Sequence, residues 1–149
     1  MKISLTTVPA ICVFLADRLT KLRAIEHLVS KPVKVLPYFS LTYAENTGVS
    51  FGLFRGNNTF FILFTLALAG TLLFLRRKVE AYGKVAALGL ALVLGGAIGN
   101  LYDRISYGYV VDFFNFSFFP AVFNVADSAI TAGAVLMALG MRNEQKGTV

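Results

Sequence analysis

Residues 85–104 read VAALGLALVLGGAIGNLYDR, and this stretch decides the fold. Its first fifteen residues carry no polar side chain, and Asn100 and the Asp103-Arg104 pair close the run. About 20 apolar residues cross a bilayer, and ~17 suffice. Gly96, Asn100 and Arg104 recur every four residues and share one helix face, with Gly95, Gly99 and Asp103 on the adjacent stripe. Glycines at that spacing let a second helix approach closely in lipid. The stretch is therefore a packed membrane helix whose polar end has work to do. Packing alone explains its glycines but not Asn100, Asp103 and Arg104 gathered at one end.

Three more runs extend this reading in both directions. Together the expected spans are about 3–22, 59–75, 85–101 and 122–141, the second ending at Arg76, Arg77 and Lys78. The expectation is an all-α transmembrane four-helix bundle, one membrane-embedded domain over residues 1–149. Composition agrees: 56% of residues are hydrophobic, 15% are charged, and mean hydropathy is +0.69. The net charge of +6 does not indicate nucleic acid, because the basic residues gather at the ends of apolar runs. Residues 1–21 superficially resemble a signal peptide. They lack a small-x-small cleavage site and are read as a retained first helix.

Charge also orients the spans. The connection 76–84 carries four Lys/Arg in nine residues, against six in 41 for 18–58. The denser, shorter connection belongs in the cytoplasm, so both termini are expected there. Within the outer connection, Phe39, Leu41 and Tyr43 alternate with Ser40, Thr42 and Ala44, which is the period of a strand. A small extracytoplasmic β-sheet between helices 1 and 2 is expected.

The segment 110–127, VVDFFNFSFFPAVFNVAD, sets Asp112 and Asp127 in aromatic and apolar surroundings that resist ionisation. Two carboxylates brought together there divide acid and base work. Asp127 stands near the start of helix 4, at the positive end of its dipole, which suits a base. Asp112 has no such help and suits the acid. Asn124, Asp127, Ser128 and Thr131 share a face, and Asn124 is placed either to cap the helix or to support the pair. The aromatic run 113–123 suits interfacial depth, as catalytic surroundings or as a reentrant segment.

Other chemistries are weaker. Residues 48–52, GVSFG, match the G-x-S-x-G elbow, which would make Ser50 the nucleophile of a rhomboid-like membrane serine protease. The usual base is missing, since the single histidine, His27, lies in the polar stretch RAIEHLVSK. One Cys and one His cannot build a zinc site, so neither metal nor cofactor is expected. Tyr102-Asp103 imitates half of a presenilin-type pair, but no Gly-x-Gly-Asp accompanies it. A non-enzymatic proton channel or transporter subunit would also use an acidic pair.

Five segments in order carry a further signal: DRLTK at 17–21, NTGVSF at 46–51, GNLYDR at 99–104, VVDF at 110–113 and FNVAD at 123–127. Together they resemble the boxes of lipoprotein signal peptidase, also called signal peptidase II. One departure is Arg18, where that family often has Gln. The resemblance implies an aspartic endopeptidase of the bacterial inner membrane. It would cut a diacylglyceryl-modified prolipoprotein just before its lipidated cysteine, near the outer face. By the same resemblance Asp112 and Asp127 are the catalytic dyad. Asn46, Gly48, Asn100, Arg104 and Asn124 then meet the substrate, and Asp17, Lys21 and Asp103 give structural support. The outer sheet with a half-helix would form a cradle and lid. Membrane lipids and a globomycin-type inhibitor are implied partners, and nothing requires more than a monomer.

Overall fold

The computed structural model describes residues 5–48 and 56–146. Four helices run in chain order as α1 (Thr7–Leu28), α2 (Asn58–Glu80), α3 (Lys84–Ser106) and α4 (Val125–Lys146). Three strands, β1 (Val33–Leu36), β2 (Phe39–Asn46) and β3 (Val110–Phe116), form one antiparallel sheet in the order β1-β2-β3.

The helices are inside out relative to a water-soluble bundle. On α1 the outward stripe is Val8, Ile11, Leu15, Leu19 and Leu22, each more than half exposed, while Asp17 and Lys21 are fully buried. Phe74 of α2 is 87% exposed. Apolar surface of that extent finds its solvent in lipid. Among the described residues three helices, α2, α3 and α4, are long and apolar enough to cross a membrane. α1 carries Asp17, Arg18, Lys21, Arg23 and Glu26, which lower its mean hydropathy although the first three of these turn inward.

α3 stands at the centre, packed by α1, α2 and α4, with Ala86, Leu90 and Ala91 wholly enclosed. Small residues permit this. A Cβ on Gly95 would stand 2.5 Å from the Ala10 carbonyl oxygen of α1, and one on Gly96 would stand 2.5 Å from that of Ala126 in α4. The hinge between α2 and α3 turns at Gly83, whose φ of 97° is left-handed backbone that glycine adopts without strain.

The helices run on past the expected membrane spans. α1 runs on to Leu28, α2 passes through Arg76, Arg77 and Lys78 to Glu80, and α3 extends to Ser106. Charged side chains end the apolar stretch but are good helix formers, so the helix continues into the interface. α3 therefore holds Asp103 and Arg104 in its last turn, at the polar end of the stretch 85–104.

The sheet is also not confined to the α1–α2 connection. β3 comes from between α3 and α4 and pairs with β2, with Ala44 opposite Asp112 and Phe39 opposite Phe116. Val110 to Phe113 are buried in succession, and Val111 and Phe113 pack on Ala24 and Leu28 of α1. With both faces covered, the strand loses the alternation that would reveal it. The β2–β3 register shifts between Leu41 and Ala44, beside Asp112. Such bulges re-aim a neighbouring side chain. Between α1 and α2 the described residues hold no half-helix, and residues 49–55, with Ser50, lie outside them.

Candidate active site

The site begins with an ion cluster between α1 and α3. Lys21 Nζ lies 3.0 Å from Asp17 Oδ2 and 2.9 Å from Asp103 Oδ2, and donates to Asn100 Oδ1 at 2.8 Å. Arg18 Nη1 meets Asp103 Oδ1 at 2.7 Å, with its guanidinium 4.6 Å from the centre of the Tyr102 ring. Two acids and two bases thus neutralise one another, which buried charges require. Arg18 thus supplies an ion pair that a glutamine at that position could not make.

Asp17 also reaches α4. Its Oδ1 accepts the Ala126 N–H at 3.1 Å, and Asn124 Oδ1 accepts the Asp127 N–H at 2.8 Å. Asp127 Oδ2 returns a contact to the Asn124 N–H at 3.3 Å, a reciprocal cap. The start of α4 is therefore tied down by its own cap and by α1.

The two aspartates meet around this cap. Asn124 Nδ2 donates to Asp112 Oδ1 at 2.6 Å, and Asn46 Nδ2 donates to Asp112 Oδ2 at 2.8 Å. Asn100 Nδ2 donates to Asp127 Oδ1 at 2.8 Å. Asn124 is thus both helix cap and bridge. Asp112 is 1% exposed, whereas Asp127 is half-buried and borders open space. Burial, then the charge of Asp127, push the Asp112 carboxyl up to about 7 against the pull of its two asparagine donors. An acid poised near neutrality suits proton transfer.

A groove of about 860 Å³ opens at this point. Asn46, Gly48, Arg104 and Asp127 form its polar end. It descends along α4 past Thr131 to Val135, with Phe61, Phe119 and Phe123 among its apolar walls. From residue 127 to 135 a helix rises about 12 Å, enough to admit a stretch of acyl or peptide chain. Gly48 is buried, and its N–H donates to Asn46 Oδ1 at 3.1 Å.

Arg104 does not pair with Asp103, whose oxygens are taken by Arg18 and Lys21. Its guanidinium lies 4.3 Å from the centre of the Phe61 ring, and its Nη1 is buried without a hydrogen-bond partner among the described residues. Among those residues no three His, Cys, Asp or Glu side chains gather as a metal-ligand set. His27 is exposed and lies 3.4 Å from Glu26.

The family model for Signal peptidase (SPase) II matches residues 9–142. The chain belongs to the signal peptidase II family. A lipoprotein signal peptidase of Caldanaerobacter subterraneus subsp. tengcongensis is 46% identical over 131 residues, covering 86% of this chain and 88% of the relative. One of Halothermothrix orenii is 40% identical over 136 residues, covering 90% and 92%. A solved bacterial membrane enzyme at 2.3 Å resolution superposes with a TM-score of 0.86 at 27% identity, covering 97% of this chain and 91% of its own.

As a signal peptidase II, the chain is a peptidase, and the serine and channel alternatives gain nothing from its relatives. The structure brings Asn46, Asn100, Asp112, Asn124 and Asp127 into one hydrogen-bonded group. It sets Gly48 and Arg104 on the groove and Asp17, Lys21 and Asp103 behind it. Two neighbours escaped the sequence reading. Asn58 caps the far side by donating to the Arg104 carbonyl at 2.9 Å, and Phe61 carries the guanidinium. Both lie on α2, and no local pattern there points to α3.

Proposed function

We propose that Asp112 and Asp127 are the catalytic dyad of an endopeptidase that removes signal peptides from diacylglyceryl-modified bacterial prolipoproteins. Cleavage falls just before the lipidated cysteine. The observation that carries this reading is the bridge of Asn124 between the two carboxylates at the polar mouth of an apolar groove.

Asp127, the more open of the two, takes a proton from water as that water attacks the scissile carbonyl. Asp112 gives its proton to the carbonyl oxygen, and the pair then protonates the leaving nitrogen. Arg104, with a free donor, and Asn46 hold the substrate backbone. The apolar length of the groove receives lipid or signal-peptide side chains. An interfacial site fits a substrate that is itself anchored in the bilayer. The density of positive charge at 76–84 supports cytoplasmic termini and a site at the outer face of the inner membrane. A monomer holds every residue named, and a globomycin-type peptide would compete for the groove.

The test uses purified protein and a diacylated prolipoprotein, read by gel shift with and without globomycin. Asp112→Asn and Asp127→Asn are each expected to lose cleavage by at least about a thousandfold while remaining folded. Substantial activity in either variant would overturn the dyad. Ion flux through liposomes, with no cleavage by the parent protein, would favour a channel.

A further inference from the structure

Lys21 is a wholly buried ammonium that the proposed reaction does not use. Such a group needs an acceptor for each proton. It has three: Asp17, Asp103 and Asn100. The first two, with Arg18, already balance the charge. Asn100 is not needed for that.

The third contact has a chemical consequence. A side-chain amide can turn over and exchange its oxygen for its nitrogen. An ammonium only donates, so Lys21 admits the oxygen of Asn100 and excludes its NH₂. The NH₂ is then turned toward Asp127 Oδ1, 2.8 Å away. Asn124 adds a weaker donor to the same Asn100 oxygen at 3.2 Å. We propose that Lys21 is a positioning residue for the dyad, holding the Asn100 amide with its N–H toward Asp127 and setting a positive charge behind it. This rests on Asp112 and Asp127 being the dyad. The groups facing the pair are Asp17, Arg18 and Lys21 from α1, Asn46 from β2, Asn100, Asp103 and Arg104 from α3, and Asn124 at the head of α4. Among these, the charge of Lys21 also favours ionised Asp112, the proposed acid, so its loss should move the basic limb upward as well.

The deciding variant is Asp17→Asn with Lys21→Met. It removes one charge of each sign and keeps an oxygen at position 17 for the Ala126 N–H. We expect KM within about twofold of the parent, kcat lower by roughly ten- to a hundredfold, and the acidic limb of the pH profile raised by about one unit. A folded variant with the parental kcat and acidic limb overturns the proposal. Asp112→Asn and Asp127→Asn are assayed alongside. Activity in either removes the dyad and this role with it, whereas two inactive variants beside an unshifted double variant remove only the role of Lys21. Should the double variant not fold, ¹⁵N-lysine NMR of the parent decides. The protected Lys21 Nζ resonance is expected to move with the midpoint of the acidic limb, and a flat resonance across that range overturns the proposal.

Discussion

The side-chain amide of Asn124 donates to Oδ1 of Asp112 at 2.6 Å. The same residue caps α4 through the Asp127 N–H at 2.8 Å. One amide therefore fixes the distance between a strand and a helix, and with it the spacing of two carboxylates. A serine cap would serve the helix but not reach the strand.

Asn124→Ala separates these duties. Loss of a cap costs about 1 kcal/mol, a few degrees in Tm. Loss of the bridge frees Asp112 to move, and misplacement on the ångström scale costs about a hundredfold in rate. We expect kcat to fall far more than stability. Thermal melts and cleavage assays of the same sample check this, and parallel small losses would contradict it.

As the proposed acid, Asp112, raised to about 7, would set the basic limb of the reaction. An acid must hold its proton, so kcat/KM should fall tenfold per unit above about pH 7. Asn46 donates to its charged form and pulls the other way, so Asn46→Ala should move that limb to higher pH. The stability sign follows from the same shift. A carboxyl held above its ordinary 3.8 contributes stability in full below about 3.8, and that contribution is lost as pH rises through about 7. Rate profiles of both proteins from pH 5 to about 9 give the answer.

Gly96→Ala tests the helix contact under the site. The added methyl would stand 2.5 Å from the Ala126 carbonyl oxygen and 2.9 Å from Ile130. Overpacking of this kind costs about 1–3 kcal/mol and should push the start of α4, with Asp127, away from Asn100. Gly70→Ala is the control, since nothing stands within 4 Å of a Cβ there. We expect lower Tm and lower activity in the first and neither in the second.

Ser50→Ala is expected to keep cleavage within about twofold of the parent, because the exposed His27 is occupied with Glu26 and no other imidazole exists. Complete loss of activity would restore the serine reading.

Much of this was legible in the sequence because membrane helices announce themselves by length and by charge at their ends. Asp112, Asp127, Asn100 and Asn124 stood out as polar groups in apolar runs. The strand holding Asp112 was not legible. Covered on both faces, Val110 to Phe113 show no alternation, and its partner strand lies some 66 residues earlier at Asn46. The helices run past the expected spans because hydropathy reports where lipid stops rather than where the backbone uncoils. The reach of Lys21 past its i+4 partner to Asn100 was hidden as well. Contacts between α1 and α3 leave no trace in spacing.

Asp17 and Ala126 join the first helix to the last across 109 positions. That bond has a meaning for biogenesis. In chain order α1 to α3 and all three strands precede α4, so until α4 packs Asp17 lacks the Ala126 N–H and the site lacks Asp127 and one wall of its groove. On the proposed dyad, a chain that has not yet packed α4 would have no hydrolytic centre, and competence would come only with the last helix.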